Sequence, residues 1–201
     1  MVNHKKKFIF VHIPKCGGSS IETFLGFNLW SKLIIEEDRE DIFIGRDSKT
    51  GKCLQHSTIS EIYYKFYIRK KINISNYFSF SFVRNPYDKC ISSYFYTNQY
   101  QKKSFKEFLL KYEHHDSYHN MNQCDFVTDK NGKIAVDFIG RFENLQEDFD
   151  HVCKKIGVKT GQIPHQNKSL HNNYREYYNE ETKAIVEKKF KKDLDLFEYK
   201  F

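Results

Sequence analysis

Residues 7–20 have the sequence KFIFVHIPKCGGSS, and this stretch decides the fold class. Its first half is a run of β-branched and aromatic residues of strand length, which is typical of a strand buried on both faces. Pro14 ends the run, and a turn with two glycines follows. From Ser19 a helical pattern begins, with Ile21 and Phe24 on one face. The stretch therefore predicts a strand, a glycine-containing turn and a helix.

The alternation of strands and helices continues along the chain. Two more runs of strand length occupy residues 77–84 and 134–140, and helix signals follow them at Asn85-Pro86 and at Asn144. This alternation predicts a three-layer α/β/α domain with a mostly parallel central sheet. With 201 residues, three prolines and no linker-like tract, the chain is expected to form a single domain.

Other parts of the chain carry weaker signals. The capping box Ser104-x-x-Glu107 predicts the start of a helix. Residues 113–132 are polar and are expected to form a loop. Between residues 28 and 55 the pattern is weak, and only a short strand at residues 42–44 is indicated.

The composition limits the classes of partner. A formal net charge of +7 suits an anionic partner such as a nucleotide or an acidic glycan. The basic residues are scattered among acidic ones and no nucleic-acid-binding motif is found, so no nucleic-acid partner is expected. Five widely spaced cysteines without a C-x-x-C pair favour a reducing compartment. We expect a cytoplasmic protein with no integral membrane segment, because no apolar stretch approaches the ~20 residues that span a bilayer.

The turn after the first strand has the composition of a phosphate-binding loop. Gly17 and Gly18 let backbone amides approach an anion, Lys15 supplies a cation, and Ser19 and Ser20 supply hydroxyl donors. The nucleoside-triphosphate loop G-x-x-x-x-G-K-[ST] is absent because the lysine precedes the glycines, which counts against an ATPase or GTPase. An ordinary turn that needs glycine for its tight geometry is the alternative interpretation.

A second candidate phosphate site follows the strand at residues 77–84. Arg84 lies at the carboxyl end of that strand, where open α/β sheets bind ligands. Ser92 lies two helical turns beyond Pro86 and could face the same crevice. A guanidinium and a hydroxyl suit a phosphate monoester. The alternative is a local ion pair between Arg84 and Asp88.

As a pair, these two segments resemble the nucleotide motifs of sulfotransferases that use 3′-phosphoadenosine 5′-phosphosulfate (PAPS). HIPKCGGSS at residues 12–20 resembles the 5′-phosphosulfate loop, and FVRNPYDKCISSY at residues 82–94 resembles the 3′-phosphate motif. The likeness is greatest to the carbohydrate branch that includes the heparan sulfate 2-O and 6-O enzymes. It extends to residues 137–149 and 164–197, and so covers nearly the whole chain.

The resemblance implies a P-loop-like fold, PAPS as co-substrate, 3′-phosphoadenosine 5′-phosphate (PAP) as product, and no metal. Lys15 would contact the 5′-phosphosulfate and its bridging oxygen. Arg84 and Ser92 would hold the 3′-phosphate that distinguishes PAPS from ATP, and Lys168 would add a second charge there. Further loop contacts would come from Cys16, Gly17, Gly18, Ser19 and Ser20. This sequence departs from the branch at Cys16, where threonine is frequent, and at Lys89, where arginine is common.

Transfer to a hydroxyl needs a base that takes the acceptor proton, and histidine suits this because its unperturbed pKa is ~6.5. His56 is the candidate, because it precedes a helix between the two nucleotide motifs and the resemblance places a histidine there; a polar loop histidine is the alternative. His12 is expected to stabilise the loop from the strand end. His115 and His119 have the spacing of a zinc pair, yet no further ligand stands at a standard spacing.

The sequence thus predicts a sulfotransferase that moves the sulfuryl group of PAPS in line to an acceptor hydroxyl, on a carbohydrate by resemblance, with Lys15 and His56 as catalytic residues. One alternative is a small kinase that uses ATP, which the order of lysine and glycines and the lack of a Mg²⁺ carboxylate oppose. Another is a non-catalytic, glycan-binding relative that keeps the fold. The acceptor itself is not indicated.

Overall fold

The computed structural model describes residues 1–26, 54–111, 117–164 and 171–201. Within these ranges four strands form one sheet in the order β1-β2-β3-β4, with β1 antiparallel to β2 and the other two pairs parallel. The strands are β1 (Val2–Asn3), β2 (Phe8–Val11), β3 (Phe78–Val83) and β4 (Phe138–Arg141). The α-helices are α1 (Gly18–Phe24), α2 (Ile59–Tyr63), α3 (Pro86–Tyr96), α4 (Phe105–Leu110), α5 (Cys124–Val127), α6 (Leu145–Lys155), α7 (Glu180–Lys189) and α8 (Lys191–Leu196).

The two-residue period of the strands separates two cores, one on each face of the sheet. Phe8 and Phe10 of β2 point to one face, where they pack with side chains of α1 and α6. Ile9 and Val11 point to the other face, where they pack with side chains of α2 and α5. Helices therefore cover both faces, which confirms the predicted α/β fold with a mostly parallel sheet.

Most of the predicted strands and helix caps are present, with shorter bounds for the strands. The three predicted strands are present, although each is shorter than its apolar run and the last begins only at Phe138. Asn85 caps α3 through the amide of Tyr87, and Ser104 forms the predicted capping box with Glu107. Asn144 stands at the N-cap position of α6 but makes no side-chain cap bond. The short antiparallel strand β1 was not predicted, and residues 42–44 lie outside the described residues.

The loop prediction for residues 113–132 is wrong in part. A 3₁₀ turn (Ser117–Asn120) and helix α5 lie within this segment. The Asp193 carboxylate, which belongs to α8, accepts hydrogen bonds from the amides of Gln123 and Cys124 at 2.8 Å each. The start of α5 is thus satisfied by an acceptor about 70 residues away, which no local pattern reveals.

The parallel pairing of β2 and β3 brings the two candidate phosphate-binding segments to one edge of the sheet. Val11 lies opposite Ser81 in the register, so both strands end at the same edge of the sheet. The glycine turn after β2 and the Arg84 segment after β3 therefore leave the sheet side by side.

No helix of the described residues has the length and apolar character needed to cross a bilayer.

One position tests the packing between β3 and β4. Gly140 lies opposite Phe82, and a Cβ at residue 140 would approach the buried Phe82 ring more closely than van der Waals contact allows. We expect Gly140→Ala to lower the free energy of unfolding by about 1–3 kcal/mol in urea denaturation, because the core is already filled. In a Phe82→Leu background the same change should cost less. An equal cost in both backgrounds would show that the contact with the Phe82 ring is not the cause.

Candidate active site

The loop between β2 and α1 needs glycine at two positions for two different reasons. Gly17 has φ 83°, in the left-handed region, and a Cβ there would lie 3.1 Å from the side chains of Phe142 and Leu145. Gly18 begins α1, and a Cβ there would overlap the ring of His12. The turn thus brings its backbone close to the strand end, and side chains would keep the two apart.

The backbone amides of this loop have the arrangement of an anion-binding site. In the part of the chain that the structure describes, the amides of Cys16, Gly17, Gly18 and Ser19 donate to no other group. The amides of Ser20 and Ile21, by contrast, donate to the carbonyl of Gly17 at 3.1 and 3.3 Å. Successive backbone amides without an internal acceptor make a suitable cradle for a phosphate or sulfate group.

Lys15 is held in a crowded and mostly buried position. Its Nζ lies 3.6 Å from the centre of the Tyr96 ring. Burial, together with the positive charge of Arg84, lowers the pKa of Lys15 from its ordinary value of 10.5 to about 7. An anion bound nearby would favour the charged amine and raise this pKa again.

Arg84 joins the two segments that the sequence singled out. Its Nε donates to the Asp88 carboxylate at 2.8 Å, so the local ion pair considered above is present. Its Nη1 also donates to the carbonyl of Lys15 at 3.1 Å, and the guanidinium lies 4.1 Å from the centre of the Phe142 ring. The Nη2 donors have no partner among the described residues. Arg84 can therefore keep its ion pair and still bind an anion.

Ser92 is buried, and its hydroxyl makes no hydrogen bond within the ranges that the structure covers. No hydrogen bond between Ser92 and Arg84 is found there either. Lys168 lies outside the described residues, and so does His115. The assignments of Ser92 and Lys168 to the 3′-phosphate therefore stay predictions.

Three histidines lie together beside the loop. The His56 ring is 4.7 Å from the His12 ring and 5.5 Å from the His119 ring. His56 Nδ1 lies 3.1 Å from the backbone carbonyl of His12. A carbonyl only accepts hydrogen bonds, so Nδ1 carries the proton and the neutral ring has its lone pair on Nε2. His12 itself is buried, with Nδ1 2.7 Å from the Glu22 carboxylate.

A chain of ring contacts connects His56 with Lys15. The His119 ring is parallel to the Tyr96 ring, with a centroid distance of 6.3 Å, and Tyr96 is the ring beneath Lys15 Nζ. The two predicted catalytic residues thus belong to one cluster. Sequence reasoning considered His119 only as half of a zinc pair, and it did not single out Tyr96. It also missed Gln123, a buried residue whose side chain contacts both Arg84 and Cys16.

The cysteines of the described ranges are buried. Burial raises the pKa of the Cys16 thiol to about 12, so this side chain is a protonated donor rather than a nucleophile. Cys90, Cys124 and Cys153 are also free and buried. In the described ranges, no group of three His, Cys, Asp or Glu residues is arranged so that it could hold a metal ion.

The lowered pKa of Lys15 leads to a test by stability. Between about pH 7 and pH 10.5 the unfolded chain keeps a proton on Lys15 that the folded protein has lost, so raising the pH in this interval stabilises the fold through this group. Below about pH 7 both states are protonated, and the cost of burying the charge is fully present. We therefore expect Lys15→Met to raise the free energy of unfolding at about pH 6, with a smaller gain at about pH 9.

Urea denaturation of both proteins at the two pH values measures this difference, since other groups titrate alike in both. Lys102→Met is the matched control, because Lys102 is exposed. It should change the free energy of unfolding little at either pH. A gain for Lys15→Met that does not depend on pH would contradict the shifted pKa.

Comparison with known proteins places the chain in a family. Residues 1–200 match the model of the sulfotransferase family. An uncharacterized protein of Archaeoglobus fulgidus is 36% identical over 111 residues, which are 54% of this chain and 90% of that protein. A crystal structure of a sulfotransferase from Alicyclobacillus acidocaldarius aligns with 97% of this chain and 96% of that one, with a TM-score of 0.49 and 18% identity. Because the family model spans nearly the whole chain, this protein belongs to the sulfotransferase family.

Proposed function

We propose that this sulfotransferase takes its sulfuryl group from PAPS and transfers it to an acceptor hydroxyl, with PAP as the product. The observation that carries the proposal is the hydrogen bond from Arg84 Nη1 to the Lys15 carbonyl. It joins the loop suited to a 5′-phosphosulfate with the arginine suited to a 3′-phosphate. A nucleotide with anionic groups at both ends of its ribose would therefore find a partner for each.

The residues of the loop fit the 5′ end of such a nucleotide. The amides of residues 16–19 supply donors, and Lys15 supplies a positive charge once an anion restores its protonation. The 3′ end would be held by the spare donors of Arg84 and, as predicted, by Ser92 and Lys168. We propose that one catalytic domain spanning residues 1–201 carries both ends of the site.

In the proposed reaction the acceptor oxygen forms a bond to sulfur while the bond from sulfur to the bridging oxygen breaks. His56 takes the acceptor proton on Nε2, since its Nδ1 is engaged with the His12 carbonyl. Lys15 stabilises the negative charge that grows on the leaving phosphate oxygen. The loop amides hold the transferred group in line between the two. A carbohydrate is the proposed acceptor class, and it rests on the resemblance to the heparan sulfate enzymes.

The donor assignment predicts selectivity between two nucleotides. PAP should bind at least about tenfold more tightly than AMP in titration calorimetry, because a charge-assisted contact to the 3′-phosphate adds about 1.5–3 kcal/mol. Arg84→Met should remove most of this difference. The matched control is Arg141→Met: Arg141 donates to the carbonyl of Phe197 and lies 4.6 Å from the centre of the Tyr199 ring. It should leave the difference intact. Equal affinity of the wild-type protein for PAP and AMP would refute the use of PAPS.

The assignment of the base predicts a loss of rate without a loss of binding. His56→Ala should lower turnover at least about a hundredfold at saturating acceptor, because a positioned general base contributes at least that factor. PAP affinity and thermal stability should change little. His12→Ala should weaken PAP binding as well, since the His12 ring packs against Gly18.

His151→Ala is a control, because the His151 ring packs against Phe138, on β4. It should leave turnover unchanged. If His56→Ala keeps more than a tenth of wild-type turnover, the base is another residue, and His119 is the next to test. That result would leave the PAPS assignment standing.

A further inference from the structure

Gln123 is fully buried. Its side-chain amide bonds to both segments that are proposed to bind the nucleotide, namely the loop after β2 and the Arg84 segment after β3; these are called the nucleotide segments below. Its Oε1 accepts a hydrogen bond from the backbone amide of Arg84 at 2.8 Å and one from the Cys16 thiol at 3.1 Å. Its Nε2 donates to the backbone carbonyl of Arg84 at 2.8 Å. One side chain thus contacts the loop after β2 and the residue after β3.

The bonds to Arg84 replace a missing strand partner. β3 ends at Val83, which is the last residue paired with β4. Arg84 is buried and lies one residue beyond this ladder, where its amide and carbonyl need other partners. The Gln123 amide pairs with both groups, as the backbone of a neighbouring strand would. Arg84 is therefore held just beyond the end of β3, where its side chain reaches the Lys15 carbonyl.

Gln123 is in turn fixed from the opposite side. The Asp193 carboxylate accepts the amides of Gln123 and Cys124, and Asp193 is fully buried. Burial raises the pKa of Asp193, while these two amide bonds oppose the shift. The residue that links the two nucleotide segments is thus anchored to α8, near the carboxyl end of the chain.

We propose that Gln123 is a positioning residue of the donor site, which sets the separation between the 5′ loop and Arg84 and thereby the selectivity for a nucleotide with anionic groups at both ends. The proposal rests on the proposed function, because it takes Arg84 as the contact of the 3′-phosphate. A nucleotide that must reach both segments at once depends on their separation. One that carries only the 5′ group depends on the loop alone.

Gln123→Met tests this, because methionine has a similar length and cannot make the three hydrogen bonds. The PAP-to-AMP affinity ratio in titration calorimetry should fall about tenfold, mainly through weaker PAP binding. A purely structural role would lower the melting temperature and leave the ratio in the folded protein unchanged. The ratio therefore separates positioning from stability.

Gln146→Met is the matched control. Gln146 also bridges backbone groups, since it accepts from the amide of Ile163 at 2.9 Å and donates to the carbonyl of Gly161 at 3.0 Å. Its replacement should lower stability and keep the affinity ratio. Asp193→Asn serves if Gln123→Met does not fold, because it keeps the Gln123 side chain and weakens only its anchor. This variant should lower the ratio several-fold.

The outcomes separate the two proposals. If the wild-type protein does not distinguish PAP from AMP, the use of PAPS fails and the role of Gln123 fails with it. If the wild-type protein is selective and a folded variant at residue 123 or 193 keeps the full ratio, only the positioning role is overturned. A fall in the ratio for these variants and not for Gln146→Met supports it.

Discussion

The parallel pairing of β2 with β3 is the interaction on which the rest of the site depends. Val11 and Ser81, which are 70 residues apart in sequence, lie opposite each other, so the ends of the two strands share one edge of the sheet. The residues after β2 can then form an amide-lined turn, and the residue after β3 can be an arginine that reaches this turn. Without the pairing, Lys15 and Arg84 would belong to unrelated surfaces. The fold therefore contributes to the proposed function chiefly by bringing these two strand ends together.

That arrangement has an electrostatic cost. Lys15 and Arg84 lie close together and mostly buried, and their mutual repulsion adds to the desolvation that lowers the pKa of Lys15 to about 7. The Asp88 carboxylate forms an ion pair with Arg84. Within the described residues, Lys15 thus lies beside loop amides that have no acceptor, and this arrangement favours a ligand with negative charge. An anion bound between the two side chains would offset this repulsion.

The features that the sequence predicted are those with local causes. The runs of Phe, Ile and Val predicted the central strands, and the caps at Asn85 and Ser104 were predicted because each bonds to an amide within the next few residues. The glycine turn was recognised for the same reason. Gln123 could not be found in this way, because its partners are 39 and 107 residues away and lie in other segments of the chain.

Asp193 also shows that local sequence patterns do not reveal long-range partners. In the sequence it is one acid among the lysines of the last helix, yet it is fully buried and satisfies the start of α5. The grouping of His12, His56 and His119 has a similar origin, since the three rings come from three separate segments. Of the surroundings of these three residues, only those of His12, at the end of the first predicted strand, could be predicted from the sequence.

His12 links the geometry of the loop to that of the proposed base. Its ring fills the space that a side chain at Gly18 would need, and its carbonyl accepts the Nδ1 hydrogen of His56. The Glu22 carboxylate holds the ring in this position from within α1. A displacement of the loop would therefore move His12, and with it the acceptor that fixes the tautomer of His56. The orientation of the proposed base and the conformation of the candidate anion-binding loop are thus not independent, because one buried histidine supports both.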